Sequence, residues 1–280
     1  VIFSIFYILL NVLFTIILFI VALILFILVR PFSKTLSIKI THNIAKLWGT
    51  FLMKSAFISF DIEGRENYDY KQTYLITPNH QSAFDIFCCF AIFKGMFAFV
   101  SKDTYGKVPM VGFGMSLANY IFVKRGTIGA AKSIDDMEDR LKSKTSIIIY
   151  PEGTRSKDGE IKKPKRGILK IAERCEDIAV LPVVIYGTKD IMKAKSFVLR
   201  PFKRVKIRFL KPFYFKDGNL IWLKNIKEYP KFLEFLFEYN QNKIFTEKGK
   251  EILENVEKKY GASFYSPDGE LKKGQVAQYG

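Results

Sequence analysis

From Val1 to Val29 the chain carries no charged residue, and the polar interruptions are Ser4, Tyr7, Asn11 and Thr15. An α-helix rising about 1.5 Å per residue needs about 20 residues to cross a hydrocarbon core about 30 Å thick. Residues 1–30 therefore predict a membrane-anchoring apolar helix with length to spare for tilt. A secretory signal peptide fits poorly, because neither a charged start nor a small-residue cleavage site is visible. Arg30, Lys34, Lys39 and Lys46 follow the run. The positive-inside tendency puts that side, and the globular part with it, on the cytoplasmic face of the cell membrane. Beyond Pro31, the residues Ile40, Ile44, Leu47, Trp48, Phe51 and Leu52 recur at helical spacing with Lys39, Lys46 and Lys54 between them. Residues 31–55 predict an amphipathic helix lying in the membrane interface. Packing of the same stripe on the domain core is the other reading.

Downstream of Ala56, short apolar runs alternate with helical stretches, which predicts an α/β layer architecture. Strands are expected at Phe57–Ile62, Thr73–Thr77, Phe97–Val100, Tyr120–Lys124, Ser146–Tyr150, Ile178–Tyr186 and Val205–Phe209. One sheet could hold them all. Helices are expected at Ala83–Phe93, Ile128–Ser143 and Gly167–Arg174. Residues 56–260 are read as a catalytic domain and the polar residues 261–280 as a frayed tail.

Composition narrows the chemistry. Hydrophobic residues make up 49% of the 280, too many for a disordered chain. The net charge of +17 attracts anionic partners such as phospholipid headgroups, acidic carriers or nucleic acid, without choosing among them. Cys88, Cys89 and Cys175 suit neither a disulfide framework nor metal-ligand spacing and read as buried thiols in a reducing compartment. His42 and His80 are the only histidines, so imidazole chemistry has two candidates.

The strand ending at Thr77 runs into Pro78-Asn79-His80-Gln81-Ser82-Ala83-Phe84-Asp85 and then the apolar stretch Ile86 to Phe93. Residues five apart do not share a helix face, so His80 must precede the helix. With Ser82 as N-cap, Asp85 falls on the first turn and can reach back to orient the imidazole. An ordinary capping box with a bystander His80 fits the same spacing. A second segment, Tyr150-Pro151-Glu152-Gly153-Thr154-Arg155-Ser156, leaves the strand at Ser146 to Ile149, where sites tend to form. Arg155 beside a glycine suits a phosphate oxyanion, although a turn with a surface ion pair would look alike. Lys162, Lys163, Lys165 and Arg166 add charge, which in most proteins is only a solvated face. The Gly112-x-Gly114 pair lacks the remaining features of a dinucleotide loop.

Together these segments resemble the glycerolipid acyltransferases typified by bacterial 1-acylglycerol-3-phosphate acyltransferase, over roughly Phe57 to Phe215. His80-x4-Asp85 resembles that family's first block and Tyr150 to Ser156 its third. Ile121-Phe122-Val123-Lys124-Arg125 resembles the second and Leu181-Pro182-Val183-Val184-Ile185 the fourth. Two departures are Asn119, where a glycine commonly opens the second block, and Tyr150, where Phe is usual. The resemblance implies a mixed β-sheet flanked by helices behind an N-terminal membrane helix. It also implies His80 as general base on an acceptor hydroxyl, with Asp85 holding its tautomer. Arg125 and Arg155 would face the acceptor phosphate, Glu152 would position the glycerol or those arginines, and Gly153 and Thr154 complete the loop. Lys102, Lys165 and Arg166 are further candidates.

The implied partners are lysophosphatidic acid as acceptor, acyl-carrier protein or acyl-CoA as donor, and an anionic membrane surface. A thioester is already activated, so no metal or organic cofactor is expected. Of the competing classes, a lipid-binding tether explains charge and anchor but not four ordered blocks, and no nucleic-acid motif appears.

Overall fold

The computed structural model describes residues 2–124, 129–156, 165–192 and 198–214. Arg125, Lys162, Lys163, the side chain of Arg166, the tail 261–280 and everything else beyond 214 lie outside the described residues.

Two long helices come first. The uncharged run forms α1 (Ile2–Val29), and Ser33 caps α2 (Lys34–Ser55) by accepting a hydrogen bond from the Leu36 amide. They pack antiparallel as a hairpin, and the four polar interruptions of α1 explain how. Spaced three or four apart, Ser4, Tyr7, Asn11 and Thr15 share one face. Tyr7 donates to the Leu52 carbonyl at 3.1 Å, Asn11 to Ser55 at 3.1 Å, and the Trp48 indole donates to Thr15 at 2.8 Å. Ser4 accepts from the Leu199 amide at 3.0 Å, which ties the start of α1 to the domain. The opposite face of α1 is a continuous exposed apolar surface that includes Phe6, Leu9, Leu13, Ile17, Ile20 and Ile24.

The other side of α2 packs on the domain through small residues. Ser37, Thr41 and Gly49 are buried, and a Cβ on Gly49 would sit 2.5 Å from the Phe90 ring. Here α2 lies between α1 and α3 (Phe84–Ile92). Trp48 and Leu52 of the expected apolar stripe are taken up in this packing, while Leu47 faces outward.

All seven expected strands form, within a few residues of their expected ends, in one sheet: β1 (Ser59–Glu63), β2 (Tyr74–Pro78), β3 (Phe97–Lys102), β4 (Ile121–Val123), β5 (Ser146–Ile148), β6 (Ala179–Tyr186) and β7 (Arg204–Phe209). The order is β1-β7-β6-β2-β5-β3-β4, parallel at every step except the antiparallel β6–β7 pair. β1 and β7 therefore run against the other five. The ends of β2, β5 and β6 share one sheet edge with the starts of β1 and β7. β2 is buried throughout, as continuous apolar strands in the middle of a parallel sheet must be. β7 alternates charged and apolar residues and buries only Val205, Ile207 and Phe209.

Helices α5 (Gly129–Lys142) and α6 (Arg166–Arg174) match expectation, whereas α4 (Val111–Leu117) was not anticipated. It is seven residues long and contains two glycines, which weakens any periodic signal. Gly112 packs so closely on the Gly106 carbonyl that a Cβ would come within 2.3 Å. Close packing accounts for that glycine. Phe90, Phe93, Phe97, Phe99 and Tyr120 gather in one ring cluster, where each fully buried ring contributes about 1.5–3 kcal/mol.

Candidate active site

The end of β2 delivers Asn79 and His80 to the sheet edge. Asn79 is wholly buried and staples this turn to β6: its amide donates to the Ile185 carbonyl at 2.9 Å and its oxygen accepts from the Ile185 amide at 2.7 Å. His80 follows, before α3, as the spacing requires. The helix begins one residue later than the capping-box reading implies. Ala83 occupies the N-cap position, and Ser82 accepts from the Phe84 amide instead of capping the N3 amide.

Asp85 serves the turn and the histidine together. Asp85 Oδ2 accepts from His80 Nδ1 at 2.9 Å and from the amides of Gln81 and Ser82 at 2.6 and 2.7 Å. Oδ1 accepts from the Thr188 hydroxyl at 2.5 Å. A fully buried carboxylate is tolerated only when its lone pairs are satisfied, and four donors satisfy this one. A carboxylate can only accept, so Nδ1 of His80 carries a proton, and in the neutral ring the lone pair is on Nε2.

The third block clasps the same turn. Glu152, 1% exposed, accepts from the His80 amide at 2.8 Å, and the Ser156 amide donates to the His80 carbonyl at 2.9 Å. The Tyr150 ring stacks on the imidazole with centroids 4.0 Å apart, and its hydroxyl lies 3.7 Å from Cys89 Sγ. Burial pushes the Tyr150 hydroxyl and the Cys88 and Cys89 thiols upward, so all three stay protonated and neither cysteine supplies a thiolate nucleophile. Gly153 adopts φ +66°, the left-handed conformation that lets the loop turn back.

His80 lines one wall of a cavity of about 920 Å³. Its lining is predominantly apolar and is shared by α1, α2, α3 and α4, with Phe19, Ile44, Trp48, Phe87 and Met115 among the contributors. Gly153, Thr154, Arg155, Lys102 and Lys165 line the same cavity, so the expected substrate-contacting residues converge with His80. Glu152 is the exception, turned into the protein to hold the histidine backbone. Arg125 lies outside the described residues. Among the described residues, no three His, Cys, Asp or Glu side chains gather as a metal site.

Two participants escaped the sequence reading. Thr188 sits 103 residues from Asp85 and has no motif of its own. Tyr150 registers in the sequence only as a departure from Phe, with nothing to indicate the ring stack. The other departure is accounted for by conformation: Asn119 has φ +62°, a region open to glycine and next most readily to Asn, and its side chain accepts from Arg140 at 2.6 Å.

Comparison with known proteins agrees with this geometry. Residues 59–186, which hold six of the seven strands and the His80 turn, match the family described as Acyltransferase. Curated relatives include 1-acyl-sn-glycerol-3-phosphate acyltransferases. A chloroplastic one from Arabidopsis thaliana is 31% identical over 187 residues, 65% of this chain and 51% of that protein. A bacterial one from Borreliella burgdorferi is 29% identical over 136 residues, 48% of this chain and 54% of that protein. The chain thus spans about half the length of these curated relatives. The crystal structure of the 1-acyl-sn-glycerophosphate acyltransferase from Thermotoga maritima superposes with a TM-score of 0.60 at 24% identity, covering 83% of this chain and 98% of that one. It has the same fold. The resemblance drawn from the four sequence blocks is borne out.

Proposed function

We propose that the chain is an O-acyltransferase that moves a fatty acyl group from an acyl thioester to the sn-2 hydroxyl of 1-acylglycerol 3-phosphate, giving phosphatidic acid. The observation that carries this reading is a carboxylate-oriented imidazole on the wall of a large apolar cavity with cationic side chains beside it. An apolar cavity fits an acyl chain, and the cations fit a phosphate.

The chemistry follows from the free Nε2. The acceptor hydroxyl gives its proton to Nε2 of His80 while its oxygen attacks the thioester carbonyl carbon. Asp85, hydrogen-bonded to Nδ1, stabilises the imidazolium that forms. The tetrahedral intermediate collapses with cleavage of the C–S bond, and the departing sulfur takes the proton back from Nε2. The new ester and a free thiol are the products. Arg155 and Lys102 bind the acceptor phosphate, and Arg125 joins them. Glu152 acts through the His80 amide, holding the turn that aims the imidazole.

The hairpin supports attachment to a bilayer. Composition and length alone would let α1 cross a membrane. Contacts at Ser4, Tyr7, Asn11, Thr15 and Phe19 tie one face of α1 along its length to α2 and the domain. A helix held that way enters the lipid with its free apolar face and lies in one leaflet, on the cytoplasmic side indicated by Arg30, Lys34 and Lys39.

The test is acceptor-dependent release of thiol from acyl-CoA and from acylated carrier protein, with lysophosphatidic acid, other lysophospholipids or glycerol 3-phosphate as acceptor. Release with lysophosphatidic acid well above that with the other acceptors is expected. No acceptor-dependent release with any of them would shift the reading to a lipid-binding tether.

A further inference from the structure

Away from the active site, two phenylalanines are held outward. Phe57 follows α2 and is 55% exposed, and Phe202 precedes β7 and is 73% exposed. Their rings stack on each other at 4.8 Å and 14°. Both residues have positive φ, 55° and 58°, a conformation that bulky side chains seldom adopt and that persists only when its surroundings impose it. The two turns are also tied together, since the Phe202 amide donates to the Ala56 carbonyl at 3.2 Å. Strained backbone spent on displaying a ring pair to the outside calls for an occupant.

We propose that Phe57 and Phe202 form a second membrane-docking element that inserts into the headgroup region of an anionic bilayer, a proposal that rests on the membrane attachment of α1 argued above. Continuity is the first argument. Phe57 meets the partly buried Phe3 of α1 with ring centroids 6.2 Å apart, so the pair sits beside the first turn of the helix whose other face is exposed and apolar. Charge is the second. Exposed Lys54 lies three residues before Phe57, and exposed Arg200 and Arg204 lie two residues either side of Phe202. Aromatic rings among basic residues are the composition that headgroup regions of anionic membranes favour. Position is the third. The turns precede β1 and β7, which start at the sheet edge that also carries His80. Docking through the ring pair as well as α1 would fix the tilt of the domain and hold that edge against the lipid that contains the acceptor.

The experiment uses the full chain with Phe202→Cys carrying an environment-sensitive fluorophore, and Leu13→Cys on the exposed face of α1 labelled in the same way. The native thiols Cys88, Cys89 and Cys175 are buried and compete poorly for the label. Each protein is mixed with phosphatidylcholine vesicles with or without phosphatidylglycerol, bearing nitroxide at the headgroup or at mid-chain. The label at 202 should shift to the blue on binding and be quenched more by the headgroup nitroxide than by the mid-chain one. Phe57→Ser/Phe202→Ser should weaken binding to the anionic vesicles by roughly tenfold. Quenching at position 13 with an unchanged label at 202 would overturn the proposal and leave the attachment of α1 standing. A label at 202 already blue-shifted without vesicles and never quenched would mean that the chain covers its own ring pair, which overturns it too. Quenching at neither position would overturn the membrane reading itself.

Discussion

The two histidines of this chain are an internal control on what makes an imidazole reactive. His80 has a carboxylate on Nδ1 and a cavity beside it. His42, in α2, is wholly buried, with Nδ1 against the Tyr120 hydroxyl at 3.1 Å, Nε2 against the Gly95 carbonyl at 3.2 Å and its ring edge-on to Phe97. Both ring nitrogens of His42 are occupied by the protein. Desolvation, helped by the nearby Lys46 charge and opposed by the Gly95 hydrogen bond, drops its pKa to about 4. The same side chain is the base of the proposed reaction at one site and a neutral packing element at the other. The difference lies in whether a nitrogen is left for substrate and whether an anion supports the charged form.

Asp85→Asn breaks this contrast most sharply. The amide cannot accept as a carboxylate does, and it leaves the imidazole free to take the wrong tautomer. A fall in kcat of about 10²–10³-fold with the fold intact is expected, read by initial rates beside circular dichroism. Thr188→Val should follow with roughly a tenfold loss in kcat and little change in KM, since the valine removes one donor from a buried carboxylate. Thr188→Ser should recover most of the rate, an outcome that separates loss of the hydroxyl from a packing defect. Arg155→Ala should raise KM for lysophosphatidic acid several-fold, and that for the acyl donor less, if the arginine meets the acceptor phosphate. An effect confined to the donor would reassign it.

His42 should barely affect kcat but should set acid stability. Its folded pKa of about 4 is below the ordinary value of 6.5 expected when unfolded. Above pH 6.5 both states are neutral and nothing is lost. Between pH 6.5 and 4 the unfolded chain takes a proton that the folded chain refuses. Stability therefore falls as pH drops through that window, by on the order of 3 kcal/mol in total. Denaturation midpoints at pH 7 and pH 5 should diverge for the wild type and converge for His42→Gln, with turnover at pH 7 nearly unchanged.

The fold was largely legible because the strands are either short apolar runs or, in β1 and β7, alternating polar and apolar residues, patterns that survive without tertiary information. Helix α4 was not, because seven residues with two glycines give no periodicity. At the site, His80 and Asp85 are five residues apart and could be paired from sequence. Thr188 could not be, since only the fold brings the turn after β6 to the carboxylate. Glu152 was legible as a motif residue, but its side chain holds the His80 backbone. The polar residues of α1 were visible as interruptions. Their use, to lock the helix along α2, depends on a hairpin that composition does not encode.

The most direct measurement is formation of phosphatidic acid from lysophosphatidic acid and an acyl thioester by detergent-solubilised full-length chain, comparing wild type, His80→Ala and His42→Gln. Loss of at least about 10³-fold in His80→Ala, with a similar fold and membrane association and with His42→Gln near wild type, is the predicted result. Near-normal turnover by His80→Ala would contradict the account.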